Sequence, residues 1–436
     1  MVLEPRDTQT QVKHLIISDY LDTWAGIILN GVSVVAKQCA AQGRPFRTRL
    51  LYVDGFGYKG RYLGNTGDLL RHGVAATPTW GSPVLGIQAL ERARDFARDK
   101  HGFHVETSVV IAEDDVDDFA DLVESIRLAG FSDRLILNPN SVAPSDGQII
   151  AIRGNFLRSL NDVVTLAKDL YTHSFFLLDP YGPTGIPYQE VSRIVSLQHT
   201  DVMINYPFYD LLKKQGILNR EEEKPADHAL LANYDAMFGT TEWREIRTQA
   251  IAGASRDDVG RSIGEALAGY YLERLRVADS GLAVKYVELE FPDRDRTMFY
   301  LYLTTHDPTG ALMLNGILHD AKLKEYQLKR HFQQSKWIHK AQEAGQLFLM
   351  SPEEDPAPEA PDVRDVDISE LADVIWQTYA GQTKTWRQVY TMLANTDVFV
   401  SEIAKAMTYL KRKGLATYQD NKLDVQIRFN RKGKGK

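Results

Sequence analysis

Residues 50–62 read LLYVDGFGYKGRY, an apolar run that ends in Asp54 and continues directly into a glycine-rich turn. A buried strand followed by such a turn is how a doubly wound α/β fold forms the crevice for an adenosine-containing cofactor. A second stretch at 175–188, FFLLDPYGPTGIPY, also ends an apolar run in an acid, Asp179. The two stretches together indicate S-adenosylmethionine as the cofactor and a methyl group as the group that is transferred.

The composition is typical of an ordinary soluble globular protein, with 44% apolar and 25% charged residues. A length of 436 residues predicts two or three domains. The single cysteine, Cys39, excludes an intrachain disulfide and fits a reducing compartment. No signal peptide is evident, and the best apolar run, 24–36, is shorter than the roughly 20 residues that cross a bilayer. We therefore expect a cytoplasmic protein without a membrane anchor.

Residues 350–367 are acidic and rich in proline, which predicts a solvated linker between two domains. Upstream, in 1–349, strand-like runs alternate with helical stretches, and this predicts a Rossmann-like, doubly wound α/β domain with a mostly parallel sheet. Residues 213–260 break the alternation and are interpreted as a helical insertion or lid. Apolar runs at 284–291 and 298–304 predict a closing hairpin, and an antiparallel final strand is typical of the class I methyltransferase variant of this fold.

Residues 368–436 predict a winged helix-turn-helix domain, because three helical segments are followed by two strand-like segments. This region carries 12 Lys and Arg and 6 Asp and Glu, so its net charge of +6 leaves −13 on the remainder of a chain whose total is −7. A basic surface and tail at 398–436 can contact phosphates, so we expect nucleic-acid binding there. Winged helices also serve as protein–protein modules, and that alternative stays open.

Five residues of the first glycine-rich turn are candidate cofactor ligands: Asp54, Gly55, Phe56, Gly57 and Gly60. The turn is not a P-loop, because no Gly-Lys-Ser/Thr follows it, and it differs from the regular G-x-G-x-x-G of nicotinamide enzymes. Its glycines allow the backbone to approach a ligand closely, with Asp54 near the amino-acid end of the cofactor.

Two polar residues that follow later strands complete the candidate cofactor site. Glu113 comes after the strand-like run 105–112, and a carboxylate there can accept hydrogen bonds from both ribose hydroxyls. Asp114 and Asp115 come next, so the choice among the three acids stays open. Asn155 is placed where an adenine amino group could be read, although a turn residue or helix N-cap is an equal alternative.

The candidate catalytic residues are Asp179, Pro180 and Tyr181. In methyltransferases that modify exocyclic nitrogens, a polar-Pro-aromatic turn lets an oxygen hold the amino group while the aromatic ring stacks on a planar substrate. The same residues could form only a strand-ending turn. We favour catalysis because the turn follows a predicted central strand, where ligands bind in such folds. Asn205 begins a second sequence of this kind and is expected to line the same crevice.

Several short motifs are distributed over most of residues 13–305. They are Lys13-His14, Asp19-Tyr20-Leu21 with Trp24, YVDGFGYKGRY, Gly81-Ser82-Pro83, LLDPYG with Ile186-Pro187-Tyr188, DVMINYP and FGTTEW. Together they resemble the three-Cys-motif partner family, TcmP. The resemblance implies a fold like that of class I S-adenosylmethionine-dependent methyltransferases and a partner protein with three cysteines, of an iron-sulfur or radical-enzyme type. The family's usual Phe-Ala-Gly-Pro-Gly reads FGYKG at 56–60 here.

Three functions remain open at this point. The first is a methyltransferase that acts on a nucleic acid or nucleotide-like acceptor with a cysteine-motif partner. The second is a scaffold that binds nucleic acid or a partner enzyme and has lost turnover through Tyr58 and Lys59. The third is a nuclease-like hydrolase that uses the acids at 113–115 with a divalent cation. No His or Cys spacing fits zinc, so we expect no resident metal, and a lone His14 is either a substrate-side base or structural.

Overall fold

The computed structural model describes residues 3–73, 79–180, 182, 185–206, 208–214, 225–255, 258–294, 296–344 and 364–431. Some predicted features lie outside these residues. They are Tyr181 of the catalytic turn, residues 350–363 of the linker, part of the insertion and the basic tail after Arg431.

The helices are α1 (Thr8–Ala41), α2 (Thr66–His72), α3 (Ser82–Phe96), α4 (Val116–Leu128), α5 (Phe156–Ala167), α6 (Tyr188–Val195), α7 (Phe208–Lys213), α8 (Pro225–Phe238), α9 (Trp243–Gly253), α10 (Val259–Ala278), α11 (Pro308–Glu343), α12 (Ile368–Tyr379), α13 (Trp386–Leu393) and α14 (Val400–Arg412). The strands are β1 (Arg49–Asp54), β2 (Arg61–Tyr62), β3 (Thr79–Trp80), β4 (Glu106–Glu113), β5 (Leu135–Leu137), β6 (Ile149–Arg153), β7 (Thr172–Leu178), β8 (Thr200–Tyr206), β9 (Ala283–Glu290), β10 (Thr297–Thr305), β11 (Thr383–Thr385), β12 (Ala416–Thr417) and β13 (Gln426–Phe429).

Eight strands form one mixed sheet in the order β5-β6-β4-β1-β7-β8-β10-β9. The pairs from β5 to β8 are parallel, and β10 runs antiparallel to both β8 and β9. This arrangement is consistent with a Rossmann-like fold and confirms the predicted α/β class and the closing hairpin. The strand β1 lies in the middle of the sheet, and all of its residues are buried, as is typical of a strand with helices on both faces.

The side chains of β1 point alternately to two apolar clusters, one on each face of the sheet. Leu50 and Tyr52 belong to the cluster that includes residues of α1 and α3, whereas Leu51 and Val53 belong to the cluster formed with α5, α6 and α10. This alternation is the period-2 pattern of a strand. The sheet is therefore the middle layer of three.

The helix α1 is the candidate membrane-spanning segment among the described residues, by length and composition only. The sequence indicated an apolar run only at 24–36, whereas the helix that contains this run spans 34 residues. Core helices and signal sequences pass the same test. Here α1 packs against α3 and α11, and Val12, Ile16 and Leu29 are fully buried in the cluster on that face. The apolar window of α1 is 28% buried as a whole, so these residues form the part of the helix that packs on the sheet domain.

The described part of the predicted insertion is helical and contributes to the core. Tyr234, Phe238 and Trp243 are buried in the cluster on the α5 face of the sheet, and the rings of Phe238 and Trp243 stack with centroids 5.6 Å apart. These residues of α8 and α9 are therefore part of the packed domain.

The C-terminal unit contains α12, α13, α14 and a small antiparallel sheet in the order β11-β13-β12. It has its own apolar cluster around Trp386. It also contacts the main domain, because the Val284 amide of edge strand β9 donates to Asn395 Oδ1, and Asn315 Nδ2 of α11 donates to the carbonyls of Thr396 and Val398. The unit thus helps to satisfy an otherwise exposed sheet edge.

Candidate active site

The acids predicted at strand ends gather at one edge of the sheet. Asp54 pairs in register with Ile111 of β4 and with Leu177 of β7, so Glu113 and Asp179 follow close by on the two neighbouring strands. The carboxyl ends of parallel strands form the ligand-binding edge of such folds. The chain also changes direction there, since the crossover from β1 leads to β4 on one side while β7 leads to β8 on the other.

Asp54 supports the glycine-rich turn from within the protein. It is fully buried, and it accepts hydrogen bonds from Ser82 Oγ at 2.7 Å and from the Phe56 amide at 3.1 Å. Tyr52 Oη lies 3.2 Å from the same carboxylate. Burial raises the pKa of Asp54 to about 6. Direct contact between Asp54 and the cofactor remains a prediction, because the carboxylate is enclosed by groups of this chain.

The turn itself is held tightly against β4. The Gly57 amide donates to the carbonyl of Ala112 at 2.8 Å, and a Cβ at Gly57 would lie 2.6 Å from Ile111 Cγ2. Only glycine fits this approach. Tyr58 has φ +48°, a left-handed conformation that is uncommon for a residue with a side chain and tends to occur at functional sites.

Glu113 connects the turn to the end of β4. Its Oε2 accepts from the Tyr58 amide at 2.7 Å, and its Oε1 accepts from the Asp115 amide at 2.9 Å. Burial raises its pKa. Each carboxylate oxygen can accept a further hydrogen bond, which suits two adjacent ribose hydroxyls. Asp115 instead caps α4 by accepting from the Asp117 and Asp118 amides. Asp115 is thus the N-cap of α4, and ribose binding by Glu113 stays a prediction.

Asn155 occupies the N-cap of α5, which is the structural alternative that the sequence left open. Its Oδ1 accepts from the Leu157 amide at 2.9 Å. Phe56 packs near Phe156 of the same helix, with ring centroids 6.3 Å apart, and a Cβ at Gly55 would lie 3.0 Å from Phe156 Cδ1. The first turn of α5 thus forms one wall of the crevice, and reading of adenine by Asn155 stays a prediction.

Asp179 is held on both sides by residues from distant parts of the chain. Lys13 Nζ of α1 lies 2.5 Å from its Oδ2, and Asn205 Nδ2 at the end of β8 lies 2.6 Å from its Oδ1. The side chains of Lys13 and Asp179 are 11% and 19% exposed. Asn205 Oδ1 is buried and has no hydrogen-bond partner among the described residues. Asp179 and Asn205 are therefore held together at the carboxyl ends of β7 and β8, with Asn205 Oδ1 enclosed by the protein.

The sequence pattern did not assign Lys13 to the site. The signal was a cation between Val12 and His14, one turn before the buried Ile16 and Ile17 of α1. The ammonium group of Lys13 also lies near an aromatic ring, with Nζ 5.5 Å from the centroid of the Phe299 ring. An amphipathic cation in such surroundings usually has an acidic partner, which here is Asp179.

Pro180 and Tyr62 define the remaining surroundings of the turn. A Cβ at Gly185 would lie 1.9 Å from Pro180 Cβ, so the segment after the turn folds back against the proline. The pKa of Tyr62 is raised by burial and then by the charge of Asp179. Tyr62 is therefore an aromatic residue whose hydroxyl feels the charge of Asp179, and stacking by Tyr181 stays a prediction.

No group of three or more His, Cys, Asp or Glu side chains in the described ranges could hold a metal ion. The hydrolase hypothesis required the acids at 113–115 to converge on a cation. Instead, Glu113 and Asp115 accept hydrogen bonds from backbone amides of two different segments. The hydrolase hypothesis thus lacks a ligand cluster in this part of the chain.

Comparison with known proteins gives one structural neighbour to report. No family model matches the chain, and no curated protein matches it in sequence. The crystal structure of a Legionella pneumophila protein of family model DUF519 is similar at 10% sequence identity and a TM-score of 0.37, over 73% of this chain and 93% of that one.

Proposed function

We propose that this protein is an S-adenosylmethionine-dependent methyltransferase that acts on an amino group of a nucleic acid or nucleotide-like acceptor. The observation that carries the proposal is the Asp179 carboxylate. It lies at the carboxyl end of β7, beside the glycine-rich turn of β1, and is fixed by Lys13 and Asn205. Ligands bind at this point of a doubly wound sheet.

The strand order supports the class I methyltransferase variant of the fold. In this sheet the antiparallel strand β10 lies between β8 and β9 rather than at the outer edge. This is the antiparallel final strand that the closing hairpin predicted. The motifs shared with TcmP belong to the same proposal, as do membership of that family, a cysteine-motif partner and a cytoplasmic location.

The residues present fit the cofactor at two places. The turn at 55–60 brings backbone close to the carboxyl end of β1, and the Glu113 carboxylate, which already accepts from backbone amides, would use its remaining lone pairs for the ribose hydroxyls. The cofactor would supply the methyl group. Asp179 and Asn205 Oδ1 would accept the two N–H bonds of the acceptor's amino group, which orients the nitrogen lone pair towards the crevice. Tyr62 or Tyr181 would stack on the planar acceptor.

The C-terminal unit would bind the larger part of the acceptor. Three helices with an antiparallel three-stranded sheet support the winged-helix interpretation. On and after its third helix, α14, the residues Lys405, Lys411, Arg412 and Lys413 are exposed. Exposed cations on one element are suited to contacts with phosphates.

The test is transfer of a labelled methyl group to DNA, RNA and nucleotide mixtures. Asp179→Ala should abolish transfer and change cofactor affinity less than threefold, because Asp179 contacts the acceptor. Asp22→Ala is the matched control, since Asp22 is an exposed acid of α1 that pairs with Arg92. Equal transfer by the Asp179 variant would remove that residue from the mechanism.

The second candidate function is a scaffold without enzymatic turnover. The large side chains of Tyr58 and Lys59 in the glycine-rich turn favour it. Lys59 Nζ lies 3.6 Å from Asp118 and 5.1 Å from the centroid of the Tyr58 ring. These bulky side chains occupy positions where the TcmP pattern has small residues. A scaffold would retain a partner protein or nucleic acid in a pull-down but transfer no methyl group, whereas a pull-down without either would exclude it.

A further inference from the structure

A cavity of about 480 Å³ is lined by residues of the N-terminal part of α1, of α2 and of α11. Its volume is in the range of small-ligand sites. The walls carry an unusual number of cationic and imidazole side chains, namely Arg6, His14, Lys324 and His331. The function proposed above does not use any of them.

Arg6 contributes a half-buried guanidinium group to this cavity. Its Nε and Nη2 donate to Asn65 Oδ1 at 3.1 and 2.9 Å, and its Nη1 lies 3.3 Å from His14 Nδ1. Both partners are neutral, and no carboxylate of the described chain forms an ion pair with Arg6. Burial lowers the pKa of Arg6. The charges of Asp7 and Asp68 raise that pKa, but neither acid forms an ion pair with the guanidinium, which can therefore still pair directly with an anionic ligand.

His14 adds a second donor that lacks a partner. A guanidinium group has only donors, so Nδ1 of His14 is the acceptor and Nε2 carries the proton. The side chain is 4% exposed, and within the described part of the chain Nε2 has no hydrogen-bond partner. Burial, together with the charges of Lys13 and Arg6, lowers the pKa of His14 well below its usual value. His14 is thus a neutral donor at the cavity wall.

Asp68, the acidic residue in the cavity wall, already has hydrogen-bonding partners through both carboxylate oxygens. Asp68 lies 3.2 Å from His331 Nε2 through one oxygen and accepts from Asn65 Nδ2 at 2.9 Å through the other. Lys324 on α11 is exposed and lines the same cavity. The unpaired hydrogen-bonding groups are therefore mainly donors, which is the arrangement that binds oxyanions.

Two consecutive residues connect the cavity with the catalytic turn. Lys13 contacts Asp179, and His14 contacts Arg6. Tyr62 lies between them, because its ring centroid is 5.6 Å from that of His14 and the charge of Asp179 acts on its hydroxyl. Tyr62 is therefore a neighbour of the cavity residue His14 and feels the charge of Asp179, so an acceptor that extends from Asp179 past Tyr62 would bring an attached phosphate to the cavity.

We propose that this cavity binds a phosphate group of the acceptor, through the guanidinium of Arg6, the Nε2–H of His14 and the ammonium of Lys324. The inference rests on the proposed function in that it identifies the acceptor as phosphate-bearing. Arg6 retains two N–H donors beyond those given to Asn65 and His14, which suits a bidentate contact with phosphate oxygens.

The test is calorimetric titration of the full chain with inorganic phosphate, AMP, adenosine and a short RNA oligonucleotide, without S-adenosylmethionine. We expect phosphate and AMP or the oligonucleotide to bind, adenosine to bind at least tenfold more weakly, and Arg6→Gln to weaken phosphate binding at least tenfold. Binding of AMP identifies a mononucleotide as the source of the phosphate, and binding of the oligonucleotide alone identifies a chain.

Two further variants keep the test decisive. Lys324→Gln changes an exposed residue and should weaken phosphate binding two- to threefold without affecting folding, even where Arg6→Gln unfolds the protein. Arg92→Gln, an exposed arginine paired with Asp22, should leave binding unchanged. Absence of phosphate binding, or equal binding by all variants, overturns the proposal. Because cofactor titration and methyl transfer are measured separately, phosphate binding without them would support the cavity and contradict the methyltransferase.

Discussion

The ion pair between Lys13 and Asp179 allows a quantitative test of the contacts that hold the turn at Asp179. Lys13→Met keeps the length and apolar stem of the side chain but leaves Asp179 with Asn205 as its partner. Removing one member of a fully buried pair costs about 3–5 kcal/mol, whereas exposed pairs contribute about 0–1 kcal/mol. Exposures of 11% and 19% place this pair near the buried limit. We expect a loss of roughly 2–3 kcal/mol in the free energy of unfolding.

The assay is urea unfolding at pH 7.5, followed by circular dichroism. Adding Asp179→Asn to Lys13→Met should restore about 1–2 kcal/mol, because the uncompensated carboxylate is then removed. The control is Arg92→Met, which breaks an exposed pair with Asp22 at 49% and 47% exposure and should cost less than about 1 kcal/mol.

The reasoning would be refuted by either of two results. One is a Lys13→Met variant no less stable than Arg92→Met. The other is a double variant whose loss equals the sum of its two single losses, since contacting charges must show a coupling energy.

Three further predictions concern the stability of the fold and the contact with the C-terminal unit. Burial raises the pKa of Asp201 from 3.8 to about 7, so the folded state binds the proton of this carboxyl more tightly than the unfolded state does. The free energy of unfolding should therefore fall as the pH rises from about 4 to about 7. Asp201→Asn should make this fall smaller in urea titrations at pH 4–8. Gly57→Ala places a methyl group 2.6 Å from Ile111 Cγ2 and should lower the free energy of unfolding by about 1–3 kcal/mol. The control is Gly31→Ala in α1, where no atom lies within 4 Å of the added methyl group. This change should raise the free energy of unfolding by about 0.5–1 kcal/mol. Asn315→Ala removes two hydrogen bonds to the C-terminal unit and should make the segment before α12 more sensitive to limited proteolysis, while unchanged cleavage would argue against this docking.

Local patterns predicted the sheet well because its strands are short apolar runs with clear ends. The runs that became β1, β7 and the β9–β10 hairpin each stop at acids, glycines or a proline. The pattern missed β11 (Thr383–Thr385), a polar segment whose strand conformation depends on pairing with β13. It also missed β2, β3 and α2, which are short and have no apolar period.

The sequence predicted the features of the site that depend on neighbouring residues in the chain, but not the contacts between distant segments. Glu113 and Asp179 were placed correctly at strand ends, since a strand end is a local feature. Their partners were not predicted, because Lys13 lies 166 residues before Asp179 and Arg6 lies 59 residues before Asn65. Such contacts arise from tertiary packing, which a single sequence does not reveal.

The central claim is that the crevice beside β1 binds S-adenosylmethionine. The most direct measurement is calorimetric titration of the full chain with S-adenosylmethionine and S-adenosylhomocysteine, for the unchanged protein and for the variants Glu113→Ala and Asp114→Ala. We predict micromolar binding that Glu113→Ala weakens at least tenfold and that Asp114→Ala, a change at the exposed neighbouring acid, leaves intact. A folded protein that binds neither compound would contradict the claim.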